Sequence, residues 1–119
     1  MQDLTLICTD AYERACAVTN EHSLPVLEAA HIKPYSPGGE HIVSNGLLMR
    51  SDIHALFDRG YVTVTPDHRF EVSRQLKQDF DNGKSYYPFD GKRIHLPNRK
   101  ADHPDLALVE WHNQHAFRQ

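Results

Sequence analysis

The sequence contains few cysteines and no long apolar run. Cys8 and Cys16 are the only cysteines, too few for a disulfide scaffold. No Cys-x-x-Cys pair occurs, so we expect no structural zinc. No apolar run approaches the roughly 18 residues of a membrane span, and no basic segment precedes the first apolar residues, as a secretory signal requires. These absences predict a cytoplasmic protein with reduced thiols and no membrane partner.

An excess of positive charge is also missing. The chain has 13 Lys and Arg against 16 Asp and Glu, a net charge of -3. A free-standing nucleic-acid binder is usually basic, because neutralising phosphates supplies much of its affinity. A nucleic-acid function would therefore need a local basic patch, a metal ion or a partner that holds the substrate. One basic run, "GKRIHLPNRK" at 91–100, could be such a patch or an ordinary solvated surface.

Composition and local patterns predict an α+β domain. The 119 residues, 39% hydrophobic and 24% charged, suit one folded unit over 1–119. We expect a helix from the N-terminus to about Cys16, strands in "PVLEAAHI" and "NGLLMR", and a helix that starts with Ser51 as N-cap and stops at Gly60. A hairpin around 67–68, a helix in "RQLKQDF", a strand in "RIHLP" and a C-terminal amphipathic helix after Pro104 complete the prediction.

The chemistry-bearing residues are concentrated between residues 28 and 60. His54 and Asp58 are four apart on the predicted helix, so they share a face at a spacing suited to metal ligands. His31, at the end of the first strand, could act as a general base near neutral pH. Asn45 could hydrogen-bond the backbone across the "SPGGEHIVS" loop and hold His31 in place. Direct ligation of a metal through its amide oxygen is the alternative.

The tract "AHIKPYSPGGEHIVSNGLLMRSDIHALFD" resembles the HNH motif of ββα-metal (His-Me finger) endonucleases. Its name residues would be His31, Asn45 and His54. The wider frame, including "ERACAVT" and "VEWHNQHAF", is similar to an HNH subgroup found in modification-dependent restriction enzymes. The resemblance implies a ββα-metal core at 25–60, a helical lead-in at 1–24, and a hairpin and C-terminal helix at 61–119.

The resemblance also implies roles for single residues. His31 would be the general base, Asn45 a catalytic or supporting residue, and His54 and Asp58 the metal ligands. Many relatives carry Asp or His at the position of Ala30, so a usual ligand is missing here. Glu28 is a candidate replacement; its alternative is a surface or structural carboxylate.

The predicted function is metal-dependent hydrolysis of DNA that leaves 5′-phosphate and 3′-hydroxyl ends. Mg²⁺ or Mn²⁺ is the expected ion, and a histidine ligand also admits Ni²⁺ or Zn²⁺. Lys33, Arg50 and Arg59 flank the motif as candidate phosphate contacts. DNA, an N-terminal reader domain or partner subunit, and a second copy of the chain are the expected partners. A non-cleaving nucleic-acid-binding module and an RNase are the alternatives.

The remaining histidines have no such pattern. His112 and His115 follow Trp111 on the predicted C-terminal helix, and we interpret them as structural. The histidines outside this helix and the motif are expected at the surface. His41 belongs to the loop between the two strands of the motif.

Overall fold

A computed structural model describes residues 4–34, 42–81 and 83–119, so most of the predicted loop with His41 lies outside the described residues. Four α-helices and four strands, with short 3-10 turns between them, follow one another in this part of the chain. They are α1 (Leu4–Ala11), β1 (Leu27–His31), β2 (Gly46–Arg50), α2 (Ser51–Asp58), β3 (Val62–Val64), β4 (Phe70–Val72), α3 (Gln75–Phe80) and α4 (Leu106–His115).

The hairpin β1–β2 and helix α2 form the ββα unit that the sequence predicts. The strands are antiparallel, with Leu27 opposite Arg50 and His31 opposite Gly46. Helix α2 starts directly after β2 and buries Ile53 and Phe57 against the core. The α+β class and its ββα arrangement are therefore confirmed.

Helix α1 covers the ββα unit but is shorter than expected. It packs against both β1 and β2, and a Cβ atom at Gly46 would overlap the sulfur of Cys8, so only glycine allows this close approach. The predicted continuation to Cys16 is wrong, because α1 ends at Ala11. Glu13 and Arg14 take left-handed backbone angles, with φ of 55° and 59°, which no α-helix can contain.

The start of α2 also differs from the prediction. Arg50, and not Ser51, is the N-cap residue, and no side chain caps the helix. Instead, the Arg50 guanidinium donates to both carboxylate oxygens of Asp52, at 3.0 and 2.8 Å. Gly60 follows α2 with a φ of +82°, consistent with its predicted role as the stop signal.

The second half of the chain packs a small hairpin and two helices against this unit. Strands β3 and β4 pair around the predicted turn, and α3 follows. The predicted strand in "RIHLP" is wrong, since only an isolated bridge joins Arg93 to Arg69. Helix α4 begins after Asp105, whose carboxylate accepts the Ala107 N–H at 2.8 Å.

The basic run at 91–100 places its cations in solvent. Lys92, Arg93, Arg99 and Lys100 are all exposed. None of the helices within 4–34, 42–81 and 83–119 has the length and apolar character of a membrane span.

Candidate active site

The imidazole of His54 lies between two carboxylates. Its Nδ1 is 2.8 Å from Oε1 of Glu28, and its Nε2 is 3.2 Å from Oδ2 of Asp58. The hydrogen bond to Asp58, together with that to Glu28, raises the pKa of His54 despite its partial burial. The two carboxylates therefore favour the protonated form of the ring.

Glu28 reaches His54 because of the strand register. Glu28 lies opposite Met49, one residue before the end of β2, and α2 folds back from that end over the hairpin. Side chains alternate along a strand, so Ala30 shares the face of Glu28. Ala30 is fully buried, so this position has no room for a solvated carboxylate.

His31 and Asp58 meet at a small cavity. His31 is the last residue of β1 and is half-buried, and Asp58 is the last residue of α2. The cavity has a volume of about 50 Å³. Its other lining residues are Ile32, Pro34, Phe57, Trp111, His112 and Ala116. The candidate base and a candidate ligand, 27 positions apart in sequence, therefore line one space.

Asn45 forms the backbone contacts expected from the sequence. Its side chain is fully buried, its Oδ1 accepts the Lys33 N–H at 2.9 Å, and its Nδ2 donates to the Lys33 carbonyl at 3.1 Å. The Asn45 carbonyl also accepts the Ile32 N–H at 2.9 Å. Asn45 thus fixes the two residues that follow His31.

The three flanking cations lie in different surroundings. The Lys33 ammonium is 5.4 Å from the centre of the ring of Trp111, a residue that lines the cavity with His31. Arg59 is exposed, next to Asp58 in sequence, and donates to the Ala55 carbonyl.

Arg50 differs from these two because it is already paired. It binds Asp52 at the start of α2, and the same carboxylate accepts the Tyr86 hydroxyl at 2.9 Å. The hydrogen bond from Arg50 holds the pKa of Asp52 below its usual range. Arg50 and Asp58 belong to opposite ends of this helix.

His112 is buried, as expected for a structural residue, and touches the site from α4. Its ring stacks on Phe57 with 3.9 Å between ring centres. No local sequence pattern indicates this contact, because the two residues lie 55 positions apart.

The donor set suits a divalent ion held by two protein side chains. Within the described ranges, no three His, Cys, Asp or Glu side chains converge on one point. Mg²⁺ prefers octahedral bonds of about 2.1 Å, which places adjacent ligands about 3.0 Å apart. His54 Nε2 and Asp58 Oδ2 are 3.2 Å apart, a hydrogen-bond distance that is also compatible with adjacent ligands of one ion. Such a site leaves the remaining positions to water and phosphate, as is usual for Mg²⁺.

Comparison with known proteins gives a family match and a similar fold. Residues 16–65 match the model of an HNH endonuclease family. No curated protein sequence matches the chain. The fold is similar to that of the modification-dependent restriction endonuclease TagI, with a TM-score of 0.62 and 22% identity. The alignment covers 93% of this chain and 36% of that one, so the chain spans about a third of the relative. Residues 16–65 are thus similar to an HNH endonuclease family, and the fold of the chain is similar to that of a modification-dependent restriction endonuclease.

Proposed function

We propose that the chain is a metal-dependent DNA endonuclease domain spanning 1–119, the nuclease part of a restriction or defence enzyme. The observation that carries this proposal is the common cavity of His31 and Asp58, beside His54. A candidate base and a candidate cation ligand that line one space suit hydrolysis of a phosphodiester. The TagI likeness supports the restriction context.

His31 acts as the general base. Its imidazole takes a proton from the attacking water, which adds to phosphorus in line with the departing 3′ oxygen. The departing 3′ oxygen takes a proton from solvent water and His31 later returns its proton to solvent, so the products carry 5′-phosphate and 3′-hydroxyl ends. When bound at His54 and Asp58, a divalent ion (Mg²⁺ or Mn²⁺, with Ni²⁺ or Zn²⁺ as alternatives) supplies positive charge to the phosphate and the leaving oxygen.

Glu28 orients His54 instead of binding the ion. It accepts from Nδ1 of His54, the ring nitrogen that faces away from Asp58. A carboxylate on that nitrogen keeps the proton there and directs the Nε2 lone pair to the cation. Asn45 contributes indirectly, by fixing the backbone after His31.

Substrate recognition needs help from outside the site. Lys33 and Arg59, the cations beside His31 and Asp58, are the phosphate contacts that the geometry favours; Arg50 would first have to leave Asp52. With a net charge of -3 the chain has no long-range attraction for DNA. Sequence specificity therefore comes from a reader domain or partner subunit. Cutting of both DNA strands requires two copies of the site.

A plasmid nicking assay tests the proposal. Supercoiled DNA is incubated with the protein and Mg²⁺ or Mn²⁺, with and without EDTA. We expect nicking that EDTA abolishes. His31→Ala should lower the rate by about 10²–10⁴-fold, the range for a general base, with unchanged circular dichroism. His22→Ala, at an exposed histidine outside the site, is the matched control and should cleave normally.

Two results would change the assignment. Binding of DNA without nicking under any of the four metals would favour a non-cleaving module, for which the buried Ala30 is the supporting observation. Cleavage of RNA but not of DNA of the same sequence would favour an RNase.

A further inference from the structure

A chain of hydrogen bonds joins α4 to the end of α2. Nε2 of His112 lies 3.2 Å from the Phe57 carbonyl, and its Nδ1 lies 2.7 Å from Oγ1 of Thr63. The amide of Asn113 donates to the same Thr63 oxygen at 2.9 Å and to the Val64 carbonyl at 3.0 Å. All of these groups lie in the interior or at its edge.

The partners fix the protonation of His112. A carbonyl oxygen can only accept, so Nε2 carries a hydrogen and donates to Phe57. Thr63 Oγ1 accepts from Asn113 and donates its own hydrogen to Nδ1, which accepts. Burial lowers the pKa of His112, which agrees with this neutral ring.

The same network holds the peptide that precedes a candidate metal ligand. The Phe57 carbonyl accepts the Gly60 N–H at 3.1 Å as well as Nε2–H of His112. The His112 ring also stacks on the Phe57 side chain, with an angle of 8° between the planes. Asp58 is the next residue, and its side chain lines the same cavity as His112.

We propose that His112 is a positioning residue, which fixes the last turn of α2 and thereby the direction of the Asp58 carboxylate toward the cation. The inference rests on the proposed function, in which Asp58 is a ligand. His112 touches neither the reacting atoms nor the ion, and acts through the carbonyl and ring of Phe57. A merely structural histidine at this position would change stability and leave the metal site as it was.

The test compares His112 variants with a matched core variant in the full chain. His112→Ala removes the stack and both hydrogen bonds, and His112→Gln keeps an amide that can donate to the Phe57 carbonyl. Thr63→Val leaves the His112 ring in place but removes the hydroxyl that donates to its Nδ1 and accepts from Asn113. Val109→Ala is the control, since Val109 is a buried α4 residue without a part in the network.

Two measurements are made, each below the melting temperature of every variant. Calorimetry with Mn²⁺ alone gives the metal Kd. Native-state hydrogen exchange of the metal-free protein gives the protection of the Gly60 amide, which bonds to Phe57.

We expect His112→Ala to raise the Mn²⁺ Kd about 10–100-fold, the range for residues that orient metal ligands. Hydrogen exchange of the Gly60 amide should speed up at least about tenfold more than the loss of global stability accounts for. His112→Gln and Thr63→Val should show smaller changes in the same direction. They carry the test if His112→Ala does not fold. Val109→Ala should lower the melting temperature with a Kd within about twofold of wild type.

The outcomes separate this inference from the proposed function. An unchanged Kd and unchanged Gly60 protection in the His112 variants would overturn the positioning role. An equal loss of metal affinity in Val109→Ala would also overturn it, because the effect would then be general destabilisation. If the wild-type protein binds no Mn²⁺, the proposed function fails, and Gly60 exchange alone decides whether His112 fixes the turn.

Discussion

Replacement of Asn45 by alanine should cost both stability and activity. The change removes two hydrogen bonds to the Lys33 backbone, of 2.9 and 3.1 Å, from a side chain that is fully buried. A polar group left without its partner costs about 1–3 kcal/mol. Lys33 is only partly buried, so water can reach part of the vacated site. We therefore expect a loss of about 2–4 kcal/mol in the free energy of unfolding.

Urea and thermal unfolding measure this loss. At about 4 °C per kcal/mol for a chain of this size, the melting temperature should fall by roughly 8–16 °C. The nicking rate, measured at a temperature where the variant is folded, should fall at least about tenfold, because Lys33 lies two residues after His31. Leu76→Ala is the matched control: it deletes a buried α3 side chain, at a cost of about 2–5 kcal/mol, without touching this segment.

Two results would refute the reasoning. A loss below about 1 kcal/mol with a normal nicking rate would mean that the Asn45 amide does not fix the backbone after His31. An equal drop in rate for Leu76→Ala, measured in its folded state, would mean that lost stability alone explains the loss of activity.

Three further predictions concern the charges of the site and its support. Ala30→Asp buries a carboxylate, so the metal-free variant should melt at a lower temperature than wild type. In a thermal shift assay, Mn²⁺ should raise the melting temperature of the variant by more than that of wild type, and equal increases would mean that residue 30 does not face the ion. Glu28→Gln removes one of the two carboxylates that raise the pKa of His54, so this pKa should fall in an NMR titration of the metal-free protein. An unchanged pKa would show that Glu28 does not contact His54 in solution. Burial lowers the pKa of His112 below its usual 6.5. As the pH falls below 6.5, the unfolded chain takes up a proton at this histidine before the folded protein does, so stability falls with acid. The urea midpoint should drop between pH 7.5 and 5.5 by less in His112→Gln than in wild type, and an identical drop would contradict a buried neutral ring.

The local parts of the fold were predictable because their signals are local. Strand patterns and the Gly60 stop signal define the ββα unit over residues close in sequence. The end of α1 was not predictable, because the helical spacing of apolar residues continues through Ala15. Glu13 and Arg14 take their left-handed angles without the usual glycine or asparagine signal.

The contacts of the site were predictable where one helix carries both partners or where one side chain binds nearby backbone, as Asn45 binds Lys33. The spacing of His54 and Asp58 on one helix gave their contact directly. The contact of Glu28 with His54 depends on strand register, which the sequence leaves open. The contact of His112 with Phe57 depends on how α4 packs, and no local pattern encodes it.

The bonds between Asn45 and Lys33 have a consequence for substitutions in the chain between them. They join two positions twelve apart in sequence, and the Asn45 carbonyl also accepts the Ile32 N–H. The backbone after His31 is therefore held through contacts in which none of the intervening side chains takes part. Substitutions between residues 33 and 45 that leave these bonds intact should leave the backbone after His31 in place.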